Sequence, residues 1–316
     1  MDSPYTTTIT DEAKKRGISV EVIDPDIPIY NLVYNSKKIR CCRSLTDRVG
    51  AITFQLAQNK HLANSFLRKH GFSVPAQELF QNYQKAEIFL KRFKNIVVKP
   101  CSQWGARGVS IKINNKDDLR AAVRSAAKFE GDIILEEYVN GEDNRLIFVD
   151  YRFVAAVRRF PAYVTGNGKD SFRSLIRKKN ILANKLDPVN VVPFDRETLR
   201  TILAKGFGYE SVPKKGRKIE VRMNANYHTG GIVEVVTDRV KKDLVDTAKK
   251  IVRLVELPMC GVDFLVNKRT GKYWVVELAP DLAISPRGGK IVAKYFIDYL
   301  FPETIIKSGK LGKQNL

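Results

Sequence analysis

The chain has 316 residues, of which 44% are hydrophobic and 28% are charged. This length exceeds that of one typical domain and predicts two or three domains. The composition is that of a globular protein with enough apolar residues to form a hydrophobic core without disulfide bonds or a structural metal ion. No apolar run reaches the roughly 18 residues of a membrane helix, and the polar start does not resemble a signal peptide, so we expect a cytoplasmic protein.

The four cysteines carry no metal or redox motif. Cys41 and Cys42 are adjacent, whereas Cys101 and Cys260 stand alone. The chain therefore lacks a CxxC pair and a zinc spacing, which predicts reduced structural thiols.

The charge balance is strongly basic. Fifty-five lysines and arginines against 34 acidic residues give a net charge of +21. The basic residues cluster over 173–179, 214–218 and 239–242. Such clusters are commonly solvated faces. They are also able to attract an acidic substrate or a polyanion, and the charge alone leaves both interpretations open.

The first 74 residues predict a short N-terminal α/β domain. Residues 11–16 favour a helix, and residues 18–23 and 27–34 favour strands. A helical pattern over residues 48–69 ends at His70-Gly71, where the glycine suits a helix C-terminus. We place a domain boundary at Val74-Pro75.

Residues 75–143 predict a central α+β lobe. The run 95–100 is typical of a buried strand that ends at a proline, and a polar loop over 101–108 leads into a second strand at 109–113. Asn115 is a suitable N-cap for a helix from Lys116, and residues 133–137 predict another strand.

Residues 144–316 predict a second lobe, with a polar, basic insertion near residues 166–218 that is broken by three prolines. A hairpin is expected around Asp150-Tyr151. The other predicted elements are a helix near 197–204, strands at 218–222 and 232–236, a helix over 242–257, and a hairpin of residues 260–266 and 272–278 that turns at 267–271.

The loop after Lys99 is a candidate phosphate site. A lysine that ends a buried strand presents one ammonium group, and a turn of small residues presents backbone N–H groups. Gly105 and Gly108 allow a close backbone approach. The spacing is neither a Walker A loop nor a Rossmann fingerprint, and a plain hairpin turn explains the pattern equally well.

A second candidate is the acidic end of the strand at 133–137. A carboxylate there is able to accept the amino group of adenine, and another a few residues later is able to bind ribose hydroxyls. The alternative is a solvated acidic turn.

Asp263 and Glu277 give the strongest signal. Both lie in strands that otherwise consist of Val, Leu, Phe, Tyr and Trp. A turn centred near Arg269 places Asp263 opposite Val275, with Glu277 one same-face position further along, within reach of a shared metal ion. Two inward carboxylates are costly unless they are paired or bind metal, and magnesium with ATP phosphates suits them. A salt bridge to Arg222 is the competing interpretation.

Taken in order, these motifs resemble the ATP-grasp carboxylate–amine ligases, in particular cyanophycin synthetase and the glutathione synthetase module of bifunctional glutathione enzymes. The likeness runs from about residue 11 to residue 303. It is carried by VVKP at 97–100, GV at 108–109, LEEYV at 135–139 with Gly141 and Arg145, RFPA at 159–162, VTGNGK at 164–169, Asn226 with TGG at 229–231, VTD at 236–238, GVD at 261–263 and VE at 276–277.

The resemblance implies an α+β ATP-grasp fold in which two lobes clasp the nucleotide, with ATP and Mg²⁺ as cofactors. Its implied site residues are phosphate contacts at Lys60 and Lys99; a closing loop with Ser102, Gly105, Arg107 and Gly108; adenine and ribose contacts at Glu136, Glu137, Val139 and Asp143; catalytic Arg158, Arg222 and Asn226; and metal ligands Asp263 and Glu277.

Three features depart from the family pattern. The metal motif of the family is Glu-x-Asn, but Glu277 is followed at the Asn position by Ala279, so one oxygen ligand is missing unless Asp281 replaces it. The first loop glycine of the family aligns with Ala106, with Gly105 displaced by one. The N-terminal domain is also short for this family, which bears on recognition of the acceptor substrate.

The sequence thus predicts an ATP-dependent ligase that forms an amide or peptide bond through an acyl-phosphate, on an amino acid or short acidic peptide. Two alternatives stay open: a non-catalytic nucleotide-binding regulatory module, and a nucleic-acid-binding protein, for which only the charge speaks. No membrane partner is expected, and a homo-oligomer is compatible with the resemblance.

Overall fold

The structure, a computed structural model, describes residues 4–24, 26–282, 284 and 289–305. The helices in these ranges are α1 Pro4–Lys15, α2 Ala51–Gln58, α3 Lys60–Lys69, α4 Tyr83–Phe93, α5 Lys116–Ala126, α6 Phe172–Leu186, α7 Arg196–Leu203, α8 Lys242–Leu254 and α9 Gly289–Leu300. The strands are β1 Ser19–Val22, β2 Ile29–Tyr34, β3 Lys37–Cys42, β4 Leu45–Thr46, β5 Gln77–Leu79, β6 Ile96–Pro100, β7 Ser110–Ile113, β8 Ile133–Glu137, β9 Glu142–Val149, β10 Arg152–Phe160, β11 Tyr163–Thr165, β12 Lys218–Glu220, β13 Ile232–Val235, β14 Met259–Val266 and β15 Tyr273–Ala279.

The strands form antiparallel sheets, and most helices pack on the faces of those sheets. The strand orders are β1-β2-β3-β4, β5-β8-β6-β7 and β13-β10-β9-β14-β15, with β11 and β12 as a separate pair. Antiparallel sheets with helices on their faces are an α+β architecture, so the predicted fold class is confirmed. Within the described ranges, no helix is long and apolar enough to cross a bilayer.

The N-terminal segment shares a hydrophobic core with the end of the chain. Tyr30 and Leu32 of β2 are fully buried and belong to the same core as Val149 of β9 and Phe296 of α9. The polar N-terminal sequence forms a longer helix than predicted because α1 packs against α9. The division of the chain into domains at residues 74 and 143 stays a prediction.

The single helix predicted over residues 48–69 is two helices. Asn59 leaves the helical conformation, with φ −82° and ψ 104°, and its side-chain oxygen accepts hydrogen bonds from the backbone N–H groups of His61 and Leu62 at 3.1 and 3.0 Å. The residue therefore ends α2 and caps α3. This cap fixes Lys60 as the first residue of α3.

In the sheet of order β5-β8-β6-β7, here called the central sheet, strands β6 and β8 are neighbours. Helices α4 and α5 pack against this sheet. Asn115 caps α5 as predicted, since its side chain accepts from the backbone N–H of Asp118 at 2.8 Å. The core beneath includes Phe89, Ile96 and Leu135. Helix α4 was not predicted.

Both faces of the five-stranded sheet contact a hydrophobic core, and one of them also presents charged residues to a cavity. The predicted turn joins β9 to β10 at Asp150 and Tyr151, whose φ angles of 53° and 57° are those of a type I′ turn. Leu146 and Phe148 of β9 pack with α8, whereas Asp143 and its alternate neighbours face the opposite side.

The basic insertion folds around a small core of its own. Helices α6 and α7 and the β11–β12 pair surround buried residues that include Phe172, Ile176 and Ile202. Helix α7 matches the predicted helix, but α6 was not predicted. Of the residues in α6, only Phe172 and Ile176 are buried, while Leu182 and Leu186 are exposed, so the apolar pattern of this helix is weak.

Candidate active site

A cavity of about 970 Å³ is lined by residues of the central sheet and of the five-stranded sheet. The sequence-predicted residues that line it are Lys60, Lys99, Gly105, Glu136, Glu137, Val139, Asp143, Asn226, Asp263 and Glu277. Residues that lie more than 200 positions apart in the sequence therefore line one cavity.

Lys99 and Glu136 form a buried ion pair in the wall of this cavity. Their side chains lie on neighbouring strands β6 and β8, and the Lys99 Nζ donates to the Glu136 Oε2 at 2.7 Å. The two residues are only 7% and 5% exposed, and the Gln77 amide donates to the same carboxylate oxygen. In this state the carboxylate expected to hold adenine is bound to the lysine expected to hold phosphate.

Lys60, which also lines the cavity, is engaged in a similar way. Its Nζ donates to the backbone carbonyl of Gln103 at 2.8 Å and lies 3.3 Å from the Glu277 Oε1. The first contact ties α3 to the loop after β6. The second pairs a candidate phosphate ligand with a candidate metal ligand.

Asp263 and Glu277 lie directly opposite each other on β14 and β15. The predicted register, with Asp263 opposite Val275, is wrong, because the pairing shifts between Asp263 and Phe264 and Val275 lies opposite Phe264. The irregularity moves the pairing by one residue. Directly paired residues face the same side of a sheet, and both acids line the cavity.

Two arginines bind the Asp263 carboxylate. The Nε and Nη2 atoms of Arg145 donate to its Oδ1 and Oδ2 at 2.6 and 2.9 Å, and the Arg159 Nη2 donates to Oδ2 at 2.6 Å. Asp263 is 1% exposed. Burial raises its pKa, but the two guanidinium groups outweigh burial and bring the pKa down to about 2. Asp263 is therefore ionised at neutral pH.

Asp143 is bound to the same arginine. The Arg159 Nε and Nη2 atoms lie 2.8 and 2.6 Å from its Oδ1. Burial raises the pKa of Asp143 to about 6, and the nearby negative charge of Asp263 adds to this rise, while Arg159 opposes it. The four side chains of Arg145, Arg159, Asp143 and Asp263, here called the arginine–aspartate cluster, carry no net charge when ionised.

Two predicted catalytic arginines, Arg158 and Arg222, are not among the residues that line the cavity. Neighbouring residues of a strand face opposite sides of the sheet. Arg159 of β10 lines the cavity, whereas Arg158 lies 3.5 Å from both Glu142 and Asn144 and is not among the cavity-lining residues.

Arg222 also lies outside the cavity lining. This residue is 3% exposed and binds Asp195, the N-cap of α7, and Thr198, with a 3.0 Å contact to the Thr198 Oγ1. The predicted alternative partner of Asp263 was Arg222, but the partners of Asp263 are Arg145 and Arg159. Asn226 lines the cavity, and its side chain accepts from the backbone N–H of His228 at 2.8 Å.

The loop after β6 contributes partly different residues to the cavity wall from those that the resemblance implied. Gly105 and Ala106 line the cavity with φ angles of 69° and 59°, whereas Ser102, Arg107 and Gly108 do not line it. Gly108 has φ 69°, and a Cβ there would lie 2.8 Å from the Phe129 ring. This glycine serves the turn and its packing.

Sequence reasoning assigned no role to Arg43 or Trp104 at the cavity, where His228 also lies. The Arg43 guanidinium lies 5.6 Å from the Trp104 ring centroid and 3.3 Å from the Asp281 Oδ2. Burial lowers the pKa of His228, and the Arg43 charge lowers it further, while Asp187 opposes this. Arg43 lies in a tight turn with φ 52°, far from the motifs, and nothing in the sequence marks it.

The donor set fits the implied magnesium only in part. Magnesium usually binds one or two carboxylates together with phosphate oxygens and waters. Glu277 fits, because its side chain is 31% exposed in the cavity and pairs with one lysine. Asp263 does not fit, because both of its oxygens accept from guanidinium groups. Among the described residues, no three His, Cys, Asp or Glu side chains cluster to hold a metal by themselves.

The sequence is similar to known ATP-grasp proteins. A family model described as a RimK-like ATP-grasp domain matches residues 57–186. Cyanophycin synthetase of Trichormus variabilis is 29% identical over 325 aligned residues, which cover 98% of this chain and 36% of that protein. The bifunctional glutathione biosynthesis protein GshAB of Clostridium perfringens is 28% identical over 269 residues, which cover 81% of this chain and 34% of that protein. The chain thus spans about a third of the length of these relatives.

Solved structures with the same fold agree. The bifunctional glutathione synthetase of Pasteurella multocida has a TM-score of 0.61 at 21% identity and covers 95% of this chain and 43% of its own. The D-alanine–D-alanine ligase of Bacillus anthracis has a TM-score of 0.53 at 13% identity, and the alignment covers 81% of this chain and 70% of the ligase chain. The predicted ATP-grasp fold is confirmed.

Proposed function

We propose that this chain, which has the ATP-grasp fold and contains a RimK-like ATP-grasp domain, is an ATP-dependent carboxylate–amine ligase. The observation that carries the proposal is the single cavity in which Lys60, Lys99, Glu277 and the arginine–aspartate cluster meet between two sheets. A polyphosphate and a developing phosphoryl charge need such a convergence of cations. The relatives named above are synthetases and a ligase, which supports the same class of reaction.

ATP would bind by exchanging the ion pairs that this state contains. Its phosphates would take Lys99 from Glu136 and Lys60 from Glu277. Glu136 would then be available to the adenine amino group, beside Glu137 and Val139. Lys60 and Lys99 would each keep an ionic partner in the phosphates, and Glu136 would exchange its ammonium contact for hydrogen bonds from the adenine amino group and the Gln77 amide.

The reaction would have two steps. A carboxylate oxygen of the substrate attacks the γ-phosphorus of ATP, and the bond from this phosphorus to the bridging oxygen breaks. ADP is the leaving group, and the substrate becomes an acyl-phosphate. The amine then attacks the acyl carbon, loses a proton and displaces inorganic phosphate. Lys60, Lys99 and Arg159 would hold the phosphates in line and oppose their charge. Magnesium at Glu277 would supply further charge neutralisation when it is bound.

The acyl substrate would be an amino acid or a short acidic peptide. The net charge of +21 favours anionic partners, and the relatives are named for cyanophycin, glutathione and D-alanine. Because the chain spans about a third of the first two relatives, its activity and substrates are proposals.

The test is ADP release in the presence of ATP, Mg²⁺ and a panel of amino acids and short acidic peptides, paired with amines. We expect one carboxylate–amine pair to release ADP in proportion to amide product, and Lys99→Gln to abolish release. If every pair leaves ATP intact while the folded protein is confirmed by circular dichroism, the ligase proposal fails.

A second candidate function is a non-catalytic nucleotide-binding module. It is favoured by Ala279, which lies two residues after Glu277 and has no side-chain oxygen, and by the engagement of both Asp263 oxygens. Such a module would bind ATP without consuming it, and Ala279→Asn would leave turnover at zero. Measurable ADP release by the unaltered chain rules it out.

A further inference from the structure

Asp263 and Glu277 are paired across two strands, but their carboxylates are in different situations. The Asp263 carboxylate accepts three short hydrogen bonds, at 2.6, 2.9 and 2.6 Å, from two guanidinium groups and is 1% exposed. Charge-assisted and bidentate bonds of this kind are the strong ones. Glu277 has one ionic contact of 3.3 Å, to Lys60, and its side chain is 31% exposed. Only Glu277 is readily available to a cation.

The positions that could support a second metal ligand are also taken or lack a donor. Ala279, two residues beyond Glu277 on β15, has no side-chain oxygen. Asp281 accepts from the Ser44 hydroxyl at 2.6 Å and from Arg43 at 3.3 Å. Both contacts tie Asp281 to the turn between β3 and β4.

The arginine–aspartate cluster already neutralises the Asp263 carboxylate, which disfavours a cation there. The two guanidinium groups balance the two carboxylates, so a divalent cation on Asp263 would have to displace a guanidinium and then lie beside it. Arg159 lines the cavity and is joined to Asp263 through a 2.6 Å bond. A guanidinium group therefore already occupies the cavity wall beside Asp263.

We propose that this chain binds a single divalent cation together with ATP, at Glu277, and that Asp263 acts as the counter-ion that positions Arg145 and Arg159 instead of binding metal. Arg159 then supplies to the transferred phosphoryl group the charge that a second metal ion would supply. This inference rests on the proposed function, since it concerns the same nucleotide site.

The experiment counts Mn²⁺ ions on the whole chain saturated with the non-hydrolysable analogue AMPPNP, from the electron paramagnetic resonance signal of free Mn²⁺. We expect one Mn²⁺ per bound nucleotide. Asp263→Asn should leave the count at one, and Glu277→Gln should weaken Mn²⁺ binding to the nucleotide complex by about tenfold or more. These readouts need no turnover and no knowledge of the substrates.

Two Mn²⁺ ions per bound nucleotide in the unaltered chain would overturn the proposal, even if Asp263→Asn does not fold. A folded Asp263→Asn variant with a lower count would also overturn it. Either result would leave the ligase proposal standing. If AMPPNP does not bind at all, the proposed function fails, and the single-cation proposal fails with it.

Discussion

Arg158 and Arg159 form a natural pair for a matched mutational test, because they are adjacent on β10 and face opposite sides of the sheet. Arg159 makes contacts of 2.6 to 2.8 Å with Asp143 and Asp263, and its side chain is 13% exposed. Arg158 has contacts of 3.5 Å only, and its side chain is 26% exposed. The substitutions Arg159→Gln and Arg158→Gln remove the same charge from the two faces.

The magnitudes follow from these contacts. Removal of one partner from a buried ion pair costs about 3–5 kcal/mol. Since Asp263 keeps both bonds from Arg145, we expect a loss near the lower end, about 3 kcal/mol, for Arg159→Gln. A partly exposed pair contributes about 0–1 kcal/mol, which sets the expectation for Arg158→Gln. The loss of a charge-stabilising donor in the transition state should also slow turnover about 100- to 1,000-fold in the Arg159 variant.

Urea unfolding gives the free energies, and ADP release with the substrate pair found in the panel gives the rates. Affinity for a fluorescent ATP analogue provides a readout that does not depend on that pair. A slower rate in the Arg158 variant than in the Arg159 variant, or equal stability losses, would refute the assignment of the two faces.

The remaining predictions concern other parts of the cavity. Lys99→Met should lower the free energy of unfolding by about 3 kcal/mol because it leaves a buried carboxylate without a cation, and adding Glu136→Gln should restore most of it in urea titrations; a loss below about 1 kcal/mol for the single variant would contradict the pairing. Burial raises the pKa of Asp143 to about 6. ATP affinity measured across pH should fall as the pH drops below 6, because the neutralised carboxyl group accepts hydrogen bonds from the ribose hydroxyls less well. Asp143→Asn should remove this pH dependence. Because the pKa of Asp143 is higher in the folded state than in the unfolded state, this group adds to folding stability as the pH falls from about 6 to about 4. A loss of affinity that coincides with unfolding would therefore not be evidence for this prediction. Gly108→Ala should lower the midpoint of thermal unfolding more than Gly71→Ala, because both glycines have positive φ but only Gly108 has a ring 2.8 Å from the added carbon; equal shifts would contradict the packing argument.

Much of the site could be predicted because its residues lie in short motifs with a chemical reason for each position. Lys99 ends a buried strand, and two acids interrupt the apolar strands of the last hairpin. Both features signal function because buried charge is costly. The cavity-lining positions of Lys99, Asp263 and Glu277 agree with that reasoning.

The errors come from features that local patterns do not encode. The register of the last hairpin depends on an irregularity after Asp263. Arg158 came from the family resemblance, and the strand β10 contains an irregularity between Phe153 and Ala155, so the face of each arginine follows from the folded register.

The partners of Asp263 could not be predicted for a different reason. Arg145 and Arg159 precede it by 118 and 104 positions. They meet it because β9 lies between β10 and β14, and no local pattern specifies that strand order. Helix α6 was missed because most of its apolar side chains do not face a core.

The central claim, transfer of the ATP phosphoryl group to a substrate carboxylate, is tested most directly by oxygen isotope transfer. A substrate labelled with ¹⁸O in both carboxylate oxygens is converted with ATP, Mg²⁺ and the amine, and the inorganic phosphate is analysed by mass spectrometry. An acyl-phosphate requires one ¹⁸O atom to appear in each released phosphate. Unlabelled phosphate released together with amide product would contradict the account.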